Sequence, residues 1–406
     1  MHASRLTLTS VYLTFFVDSL AWAIVFPVFA PYFLDMDNSL FSPSMSLAWR
    51  TTILGFFLMA FSLGQFLAAP IMGEYADRFG RRRALVLTVF FAFISMVFTA
   101  WSMEMQSLIG LFAGRLLSGI FASNTSICLA CIADLSSDEK SKVTKFGYFS
   151  VLGGLSFVLG AFLGGKLSDP SLSSFFSPTI PLWLAAVLSL FNFLFVLFCF
   201  KETSKIDTSV VFDYLESFHN IKNTLKEGKI RLFYIIYFLF LFGWAMLFQF
   251  TPVLVVNRYA FSNSEIGDLA LFIGLCWGLG SSVLNKILNH FFKPLTVLEF
   301  CLLMFVLLCG GIFFISNMWC VLSLLSLAVI IGGLAWPICT GLISNLSSKR
   351  TQGKILGVTQ SIQSLAMTVA PLIGGVAYHV MDGFPFLLAA GSSLVASIIY
   401  FALKDR

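Results

Sequence analysis

Twelve apolar runs, each about as long as a bilayer is thick, dominate this chain. A helix crossing the hydrocarbon core needs about 20 mainly apolar residues. Runs of that kind predict spans over 7–33, 50–72, 84–102, 107–133, 146–167, 180–200, 231–256, 265–287, 295–315, 319–345, 354–378 and 384–403, numbered here span 1 to span 12. None shows the two-residue alternation of an outer-membrane barrel. Of the 406 residues 58% are apolar and 11% are charged, whereas soluble domains carry about 25% charge. The ionic surface of two or three soluble domains is therefore missing, and 47 Phe are the opposite of a disordered composition. The first run has no small-residue cleavage pattern after a short core, so it reads as a retained span. Seven of the eight cysteines lie inside apolar runs and Cys320 sits near the end of one, which suits buried thiols better than a secreted disulfide framework. The expected fold class is an all-α polytopic membrane protein.

The scarce charges are placed, not scattered. With the N-terminus in the cytoplasm, all but four of the 25 lysines and arginines fall in inside segments. Arg50, Lys166 and Arg258 fall outside, and Arg115 lies within span 4. This positive-inside bias predicts both termini cytoplasmic. A net charge of +5, so dispersed, offers nothing to a nucleic acid. The longest polar stretch, Lys201 to Arg231, separates spans 6 and 7. It divides the chain into an N-terminal six-helix bundle (1–200), a cytoplasmic central loop (201–230) and a C-terminal six-helix bundle (231–406). Within the loop, Ser209–Lys226 alternates at helical spacing, which suits an amphipathic helix on the membrane face as well as it suits a solvated linker. The halves repeat: Ile132, Leu135, Ser136 and Ser137 recur as Ile343, Leu346, Ser347 and Ser348, and Gly147, Gly164 and Gly165 recur as Gly357, Gly374 and Gly375.

Between spans 2 and 3 the chain reads Gly73-Glu74-Tyr75-Ala76-Asp77-Arg78-Phe79-Gly80-Arg81-Arg82-Arg83. A merely positive-inside loop needs the arginines but neither the glycines nor the aspartate. The segment resembles the G-x-x-x-D-R-x-G-R-R signature of the major facilitator superfamily, whose six-plus-six repeat the chain also matches. Elementary chemistry suits the motif. Gly73 would let backbones approach, Gly80 would permit a tight turn, and arginine forks can hold a carboxylate. The resemblance implies a gating latch built from Gly73, Asp77, Arg78, Gly80, Arg81 and Arg82, with Arg81 pairing Asp134 at the inner end of span 4. Asp18-Ser19-Leu20-Ala21-Trp22-Ala23-Ile24-Val25-Phe26-Pro27, Gly114-Arg115-Leu116-Leu117-Ser118-Gly119 and Lys201-Glu202-Thr203 are similar to the twelve-helix drug:proton antiporter branch, which includes tetracycline efflux proteins. Its span 5 pattern is only partly kept: Gly160, Gly164 and Gly165 stand, but Ser156 replaces a glycine and Ala161 a proline. Together with Pro371, Gly374 and Gly375 in span 11, those glycines are the expected helix-bending positions.

Carboxylates and guanidinium groups within hydrocarbon are costly and usually functional. Asp18 lies roughly 16 Å from one side and Arg115 roughly 12 Å from the other, nearly one depth in a core about 30 Å thick. The expected roles are proton coupling for Asp18, tuned by a contact from Arg115. Candidate substrate-cavity residues are Trp22, Gln65, Asn124, Asn192, Gln249, Gln360 and Gln363. Asp268 and Glu299, near span ends, read as solvated. Cys128 and Cys131 lie in an apolar helix without a second pair, so no metal site is expected. A membrane enzyme would need a convergent nucleophile, metal or phosphate site, and the chain offers none. The resemblance implies a monomeric multi-pass protein of the bacterial inner membrane, its partners being the lipid bilayer, protons and a small-molecule substrate, and no nucleic acid. No cofactor is expected, the proton gradient being the energy source. It implies efflux of an amphipathic, drug-like molecule by alternating access; the same fold also allows an uptake symporter or facilitator for a nutrient, metabolite or siderophore.

Overall fold

The computed structural model describes residues 2–122, 124–136, 138–203, 228–345 and 352–404. The amphipathic segment Ser209–Lys226 lies outside the described residues. No strand occurs among those described. Twelve helices there are long and apolar enough to cross a membrane: Leu6–Leu34, Leu47–Phe79, Arg81–Glu104, Leu108–Asp134, Thr144–Leu167, Ile180–Cys199, Ile230–Tyr259, Asn263–Phe291, Pro294–Phe314, Met318–Asn345, Gly357–Val380 and Phe384–Ala402, the twelve expected spans in order. Helices dominate because hydrocarbon offers backbone N–H and C=O groups no partner, and a helix satisfies them internally. Large apolar side chains of the spans point outward, Phe198, Leu307 and Phe314 among them, as lipid contact requires.

The interruptions have local causes. Span 1 breaks at Val25, where Pro27 opens a second helical piece, Phe26–Leu34. The first helical piece of span 4 ends at Phe121, and a second covers Asn124–Asp134. Span 8 contains a π-helical segment, Leu279–Leu284, which the apolar run did not announce. Span 2 runs to Phe79, so Gly73 to Phe79 is helix and not loop. The turn is reduced to Gly80, at φ +96°, a region that favours glycine.

Two compact units emerge. One contains Met1–Pro43, Ala60–Tyr214 and Ser262–Leu271; the other contains Ser44–Met59, Leu215–Phe261 and Phe272–Arg406. In the first, span 1 packs on spans 5 and 6, and span 3 on spans 4 and 6. In the second, span 7 packs on spans 11 and 12, and span 9 on spans 10 and 12. The pairing scheme is the same, so the short sequence repeat marks a repeat of architecture. Val11, Leu85, Val89, Ile127, Val196 and Phe200 lie in a core of the first unit. Tyr237, Phe240, Leu298, Leu302, Leu334 and Ile338 do so in the second.

Glycines set where helices cross. A Cβ on Gly165 would stand 2.6 Å from the Cα of Gly267, so the end of span 5 and the start of span 8 meet backbone to backbone. Polar groups fasten this crossing. Lys166 Nζ lies 2.7 Å from Asp268 Oδ2 and donates to Ser264 Oγ at 2.7 Å. Asp169 Oδ2 accepts the Ser264 N–H at 3.0 Å, and Asn263 Nδ2 donates to Ser168 Oγ at 2.9 Å. Asp268 is thus an ion-pair partner, not the merely solvated carboxylate its place near a span end suggested. In the second unit Gly55 meets Gly375 in the same way, and Thr52 Oγ1 donates to the Gly375 carbonyl at 3.1 Å. Gly160 and Gly164 likewise admit the Leu20 and Ile24 carbonyls of span 1, while Gly374 faces the Phe250 ring. Pro371 sits inside span 11 with its carbonyl against Gly55. The expected bending positions thus serve as close-packing positions. A methyl group on Gly73 would meet no described atom within 4 Å, so no close approach accounts for that glycine.

Candidate functional site

Two polar clusters stand out in the first unit, one at the Gly80 turn and one among spans 1, 4 and 6. At the turn, Gly80 leaves room for the Glu202 carboxylate, which a Cβ would meet at 2.5 Å. Glu202 Oε1 accepts the Arg81 N–H at 2.9 Å and Oε2 accepts the Arg82 N–H at 3.0 Å. A carboxylate therefore caps the first turn of span 3, where free N–H groups and the helix dipole favour an anion. Arg82 caps the opposite kind of end: its guanidinium donates to the carbonyls of Phe200 at 3.0 Å and Leu197 at 2.9 Å, closing the last turn of span 6. Arg81 Nη1 lies 2.6 Å from Asp77 Oδ1 and its Nε lies 3.4 Å from Asp134 Oδ2, so the Arg81–Asp134 pair implied by the resemblance is present. Thr203 Oγ1 also donates to Asp134 Oδ2, at 3.4 Å. Arg78 lies over its neighbour's ring, 5.4 Å from the Phe79 centroid. Sequence reasoning missed Glu202 and Thr203 as members of this cluster, although Lys201-Glu202-Thr203 is a recognisable ending of span 6.

Deeper in the unit, Asp18 Oδ2 accepts from Asn124 Nδ2 at 2.6 Å. One turn earlier on span 1, Thr14 Oγ1 donates to Asn192 Oδ1 at 3.1 Å. Asn124 and Asn192 are both 1% exposed. Asn124 Oδ1 and Asn192 Nδ2 have no hydrogen-bond partner among the described residues. Burying a polar atom unmatched is costly, so the pair holds one spare acceptor and one spare donor beside the Asp18–Thr14 face. These two asparagines, expected as cavity residues, are therefore tied to span 1.

No direct ion pair between Arg115 and Asp18 is found among the described residues. The Arg115 guanidinium sits 4.6 Å from the Phe61 ring centroid and 5.8 Å from that of Phe29. Gly114 faces Thr99 of span 3, and Gly119 faces the Phe61 carbonyl of span 2. The Gly114–Gly119 segment thus seats span 4 between spans 2 and 3 and leaves Arg115 among aromatic rings, where a cation is attracted by the ring faces.

Of the other cavity candidates, Trp22 and Gln65 belong to the first unit and Gln249, Gln360 and Gln363 to the second. Trp22 is 39% exposed and tilts against Phe157 with centroids 6.0 Å apart. Gln65 is half-buried and Gln360 is exposed. Gln249 Nε2 points at Met367 Sδ, 3.9 Å away. Gln363 Oε1 accepts from the Tyr237 hydroxyl at a long 3.5 Å. No group of three or more metal-ligating His, Cys, Asp or Glu side chains occurs among the described residues.

Twelve apolar spans in two like-built units, with an acid held among them, define a polytopic helical membrane protein. The sequence profile of the Major Facilitator Superfamily matches residues 11–371 and again 233–406, and the chain belongs to that superfamily of transporters. It is similar to "Tetracycline resistance protein, class B" of Escherichia coli, 28% identical over 351 residues and covering 82% of each chain. It is also similar to "Quinolone resistance protein NorA" of Staphylococcus aureus, 24% identical over 406 residues, 97% of this chain and 96% of that one. Among solved structures it resembles the human organic anion transporter MFSD10, with a TM-score of 0.68, 21% identity and coverage of 98% of this chain and 99% of that one. A D-xylose-proton symporter gives a TM-score of 0.74 at 15% identity, over 98% of this chain and 97% of that one. At these identities the solved structures establish the fold alone.

Proposed function

We propose that the protein is a proton-coupled exporter of the inner membrane, with both termini cytoplasmic, exchanging protons for a small, flat, amphipathic molecule. The observation that carries this reading is the company Asp18 keeps. A carboxylate clamped to a guanidinium is held in its charged form, whereas Asp18 is held by a neutral amide. Charged, Asp18 accepts the Asn124 N–H; protonated, it could donate its O–H to the unpartnered Asn124 oxygen after a turn of the amide. One pair of side chains can therefore satisfy both states, which suits a group that must load and release a proton within the membrane. Arg115, anchored over Phe61 and Phe29, supplies a fixed positive charge in the same unit. The chain's similarity to tetracycline and quinolone resistance proteins supports the outward direction and the substrate class.

Everted membrane vesicles with an acidified lumen test the proposal. An exporter loads the vesicles with tetracycline or a quinolone and releases lumenal protons as it does so. Asp18→Asn, correctly inserted, is expected to abolish proton-driven accumulation while leaving downhill exchange of the same compound. Undiminished coupled accumulation by Asp18→Asn removes that residue from the mechanism. Proton efflux accompanied by loss of solute from the vesicles would mark an uptake symporter instead.

A further inference from the structure

Span 8 has one side packed and another open. Ile266, Ala270 and Ile273 are buried. Gly280 faces the Ile330 carbonyl of span 10, and a Cβ on Gly333 of span 10 would stand 2.8 Å from the Trp277 carbonyl oxygen. On the open side Phe272, Leu275, Leu279, Val283 and Ile287 are exposed. They follow one another at three- or four-residue steps, the spacing of one helix face. Ser282, also exposed, turns its hydroxyl back onto the Gly278 carbonyl. The stripe ends in basic groups. Lys286 and His290, one turn apart, are exposed, as is Lys293 just beyond the helix end. Exposed Phe291, Phe292 and Leu295 flank them, and His290 meets the Phe291 ring edge-on with centroids 5.1 Å apart.

These basic groups are not held by the protein. At the inner turn of the first unit, between spans 2 and 3, Arg81 is tied to Asp77 and Asp134, and Arg82 to the carbonyls that end span 6. At the equivalent turn of the second unit, between spans 8 and 9, the side chains of Lys286, His290 and Lys293 make no salt bridge or hydrogen bond among the described residues. The next carboxylate along the chain, Glu299, lies further into span 9 beside Tyr400. A cationic cluster at the end of an apolar stripe calls for a ligand with an anion at the end of an apolar tail, which is the form of a phospholipid. The lengths agree. At 1.5 Å per residue, Leu275 to Lys286 covers roughly 16 Å, and one leaflet is half of a core about 30 Å thick.

We propose that this face of span 8 binds one anionic phospholipid of the phosphatidylglycerol type. Its phosphate lies against Lys286, His290 and Lys293, and one acyl chain runs along the stripe from Val283 to Phe272. Basic clusters on the cytoplasmic side of membrane helices recognise anionic headgroups in this way. A zwitterionic headgroup would bring a second cation to a cluster that has no carboxylate to meet it. The site is separate from Asp18 and Arg115, and its occupancy needs no proton gradient.

Native mass spectrometry of the full-length chain tests the site. The protein is released from maltoside micelles doped with dioleoylphosphatidylglycerol or dioleoylphosphatidylcholine, and the affinity of the first bound lipid is read from the titration. Phosphatidylglycerol is expected to bind about tenfold more tightly than phosphatidylcholine. Lys286→Gln with Lys293→Gln should weaken phosphatidylglycerol about 30-fold, and Lys286→Gln alone about fivefold. If the double variant does not stay monodisperse, the single one decides the matter. Arg83→Gln with Lys201→Gln removes the same charge from exposed positions at the Gly80 turn and the end of span 6, and should bind as the parent does. Phosphatidylglycerol with six-carbon chains and sn-glycerol 1-phosphate should both bind far more weakly than the dioleoyl lipid. Equal affinity for the two dioleoyl lipids, unchanged affinity in the Lys286 variants, or an equal loss in the Arg83 and Lys201 pair overturns the site. Glycerol phosphate bound as tightly as the whole lipid would mark a free-anion site and overturn the role of the stripe.

Discussion

Asp169 illustrates how a single carboxylate can fasten two helices. It is 4% exposed, and burial by itself would raise its pKa. The Ser171 hydroxyl, the Ser264 and Ser171 N–H groups and the Ser262 hydroxyl outweigh that effect and hold the group below its ordinary value of 3.8. A carboxyl whose folded pKa is depressed adds stability that is fully present above the unfolded value and is lost as pH falls through the folded one. The fastening of spans 5 and 8 is therefore expected to be insensitive to pH through the neutral and mildly acidic range and to weaken only below 3.8. Asp169→Asn should lower the melting temperature at pH 7, and the two proteins should converge as pH drops below that value, read by thermal unfolding in detergent. At this scale the sequence was legible wherever a residue is costly by itself. Asp18 and Arg115 stand out because hydrocarbon is a poor place for either. Their partners were not legible: the Asn124 amide that holds Asp18 and the Phe61 ring beneath Arg115 are brought in by helix packing, which no local spacing encodes. Glu202 was hidden for the same reason, because the N–H groups it caps lie some 120 positions away in the chain.

The glycines that the sequence repeat treats alike part company once the helices are packed. Gly164 and Gly165 of span 5, with Gly374 and Gly375 of span 11, stand where a methyl group would strike backbone or a ring. Gly147 and Gly357, members of the same repeat, meet no described atom within 4 Å. Gly147→Ala should therefore be tolerated or mildly stabilising, since alanine favours a helix over glycine by about 1 kcal/mol. Gly164→Ala should push span 5 off the Ile24 carbonyl and cost about 1–3 kcal/mol, as overpacking typically does. Comparing the two melting temperatures in one detergent checks the pair, and equal effects would deny that the crossing is tight. The twelve elements themselves were legible in outline because membrane helices are written in long apolar runs. The π-helical segment of span 8 was not, since a wide turn leaves hydropathy unchanged. Nor was the helical character of Gly73 to Phe79, which polar composition disguised as loop.

Across the whole chain, the distribution of basic residues makes a topological forecast that a natural probe can check. Cys320 is exposed at the start of span 10, whereas Cys128, Cys131, Cys276, Cys301, Cys309 and Cys339 are buried. With both termini cytoplasmic, that end of span 10 faces outward. A membrane-impermeant maleimide should label intact cells at Cys320, Cys320→Ser should remove the signal, and everted vesicles should label poorly at that position. The reverse pattern would invert the orientation. The repeat of helix pairings could be anticipated from a handful of recurring residues, because each half solves one packing problem with the same crossings. The meeting of the Trp244, Trp277 and Trp336 rings, with centroids 4.5, 5.5 and 6.5 Å apart, could not, since the three positions come from spans whose adjacency only the fold supplies.

The two compact units do not follow the midpoint of the chain strictly: Ser44–Met59 belongs with the later half, and Ser262–Leu271 with the earlier. The gene can therefore be divided between spans 6 and 7 without either product encoding a whole unit. The first product would lack the start of span 8 and the second would lack the start of span 2. Recovery of activity from separately encoded fragments would then require Ser44–Met59 and Ser262–Leu271 each to join its unit across a break in the chain.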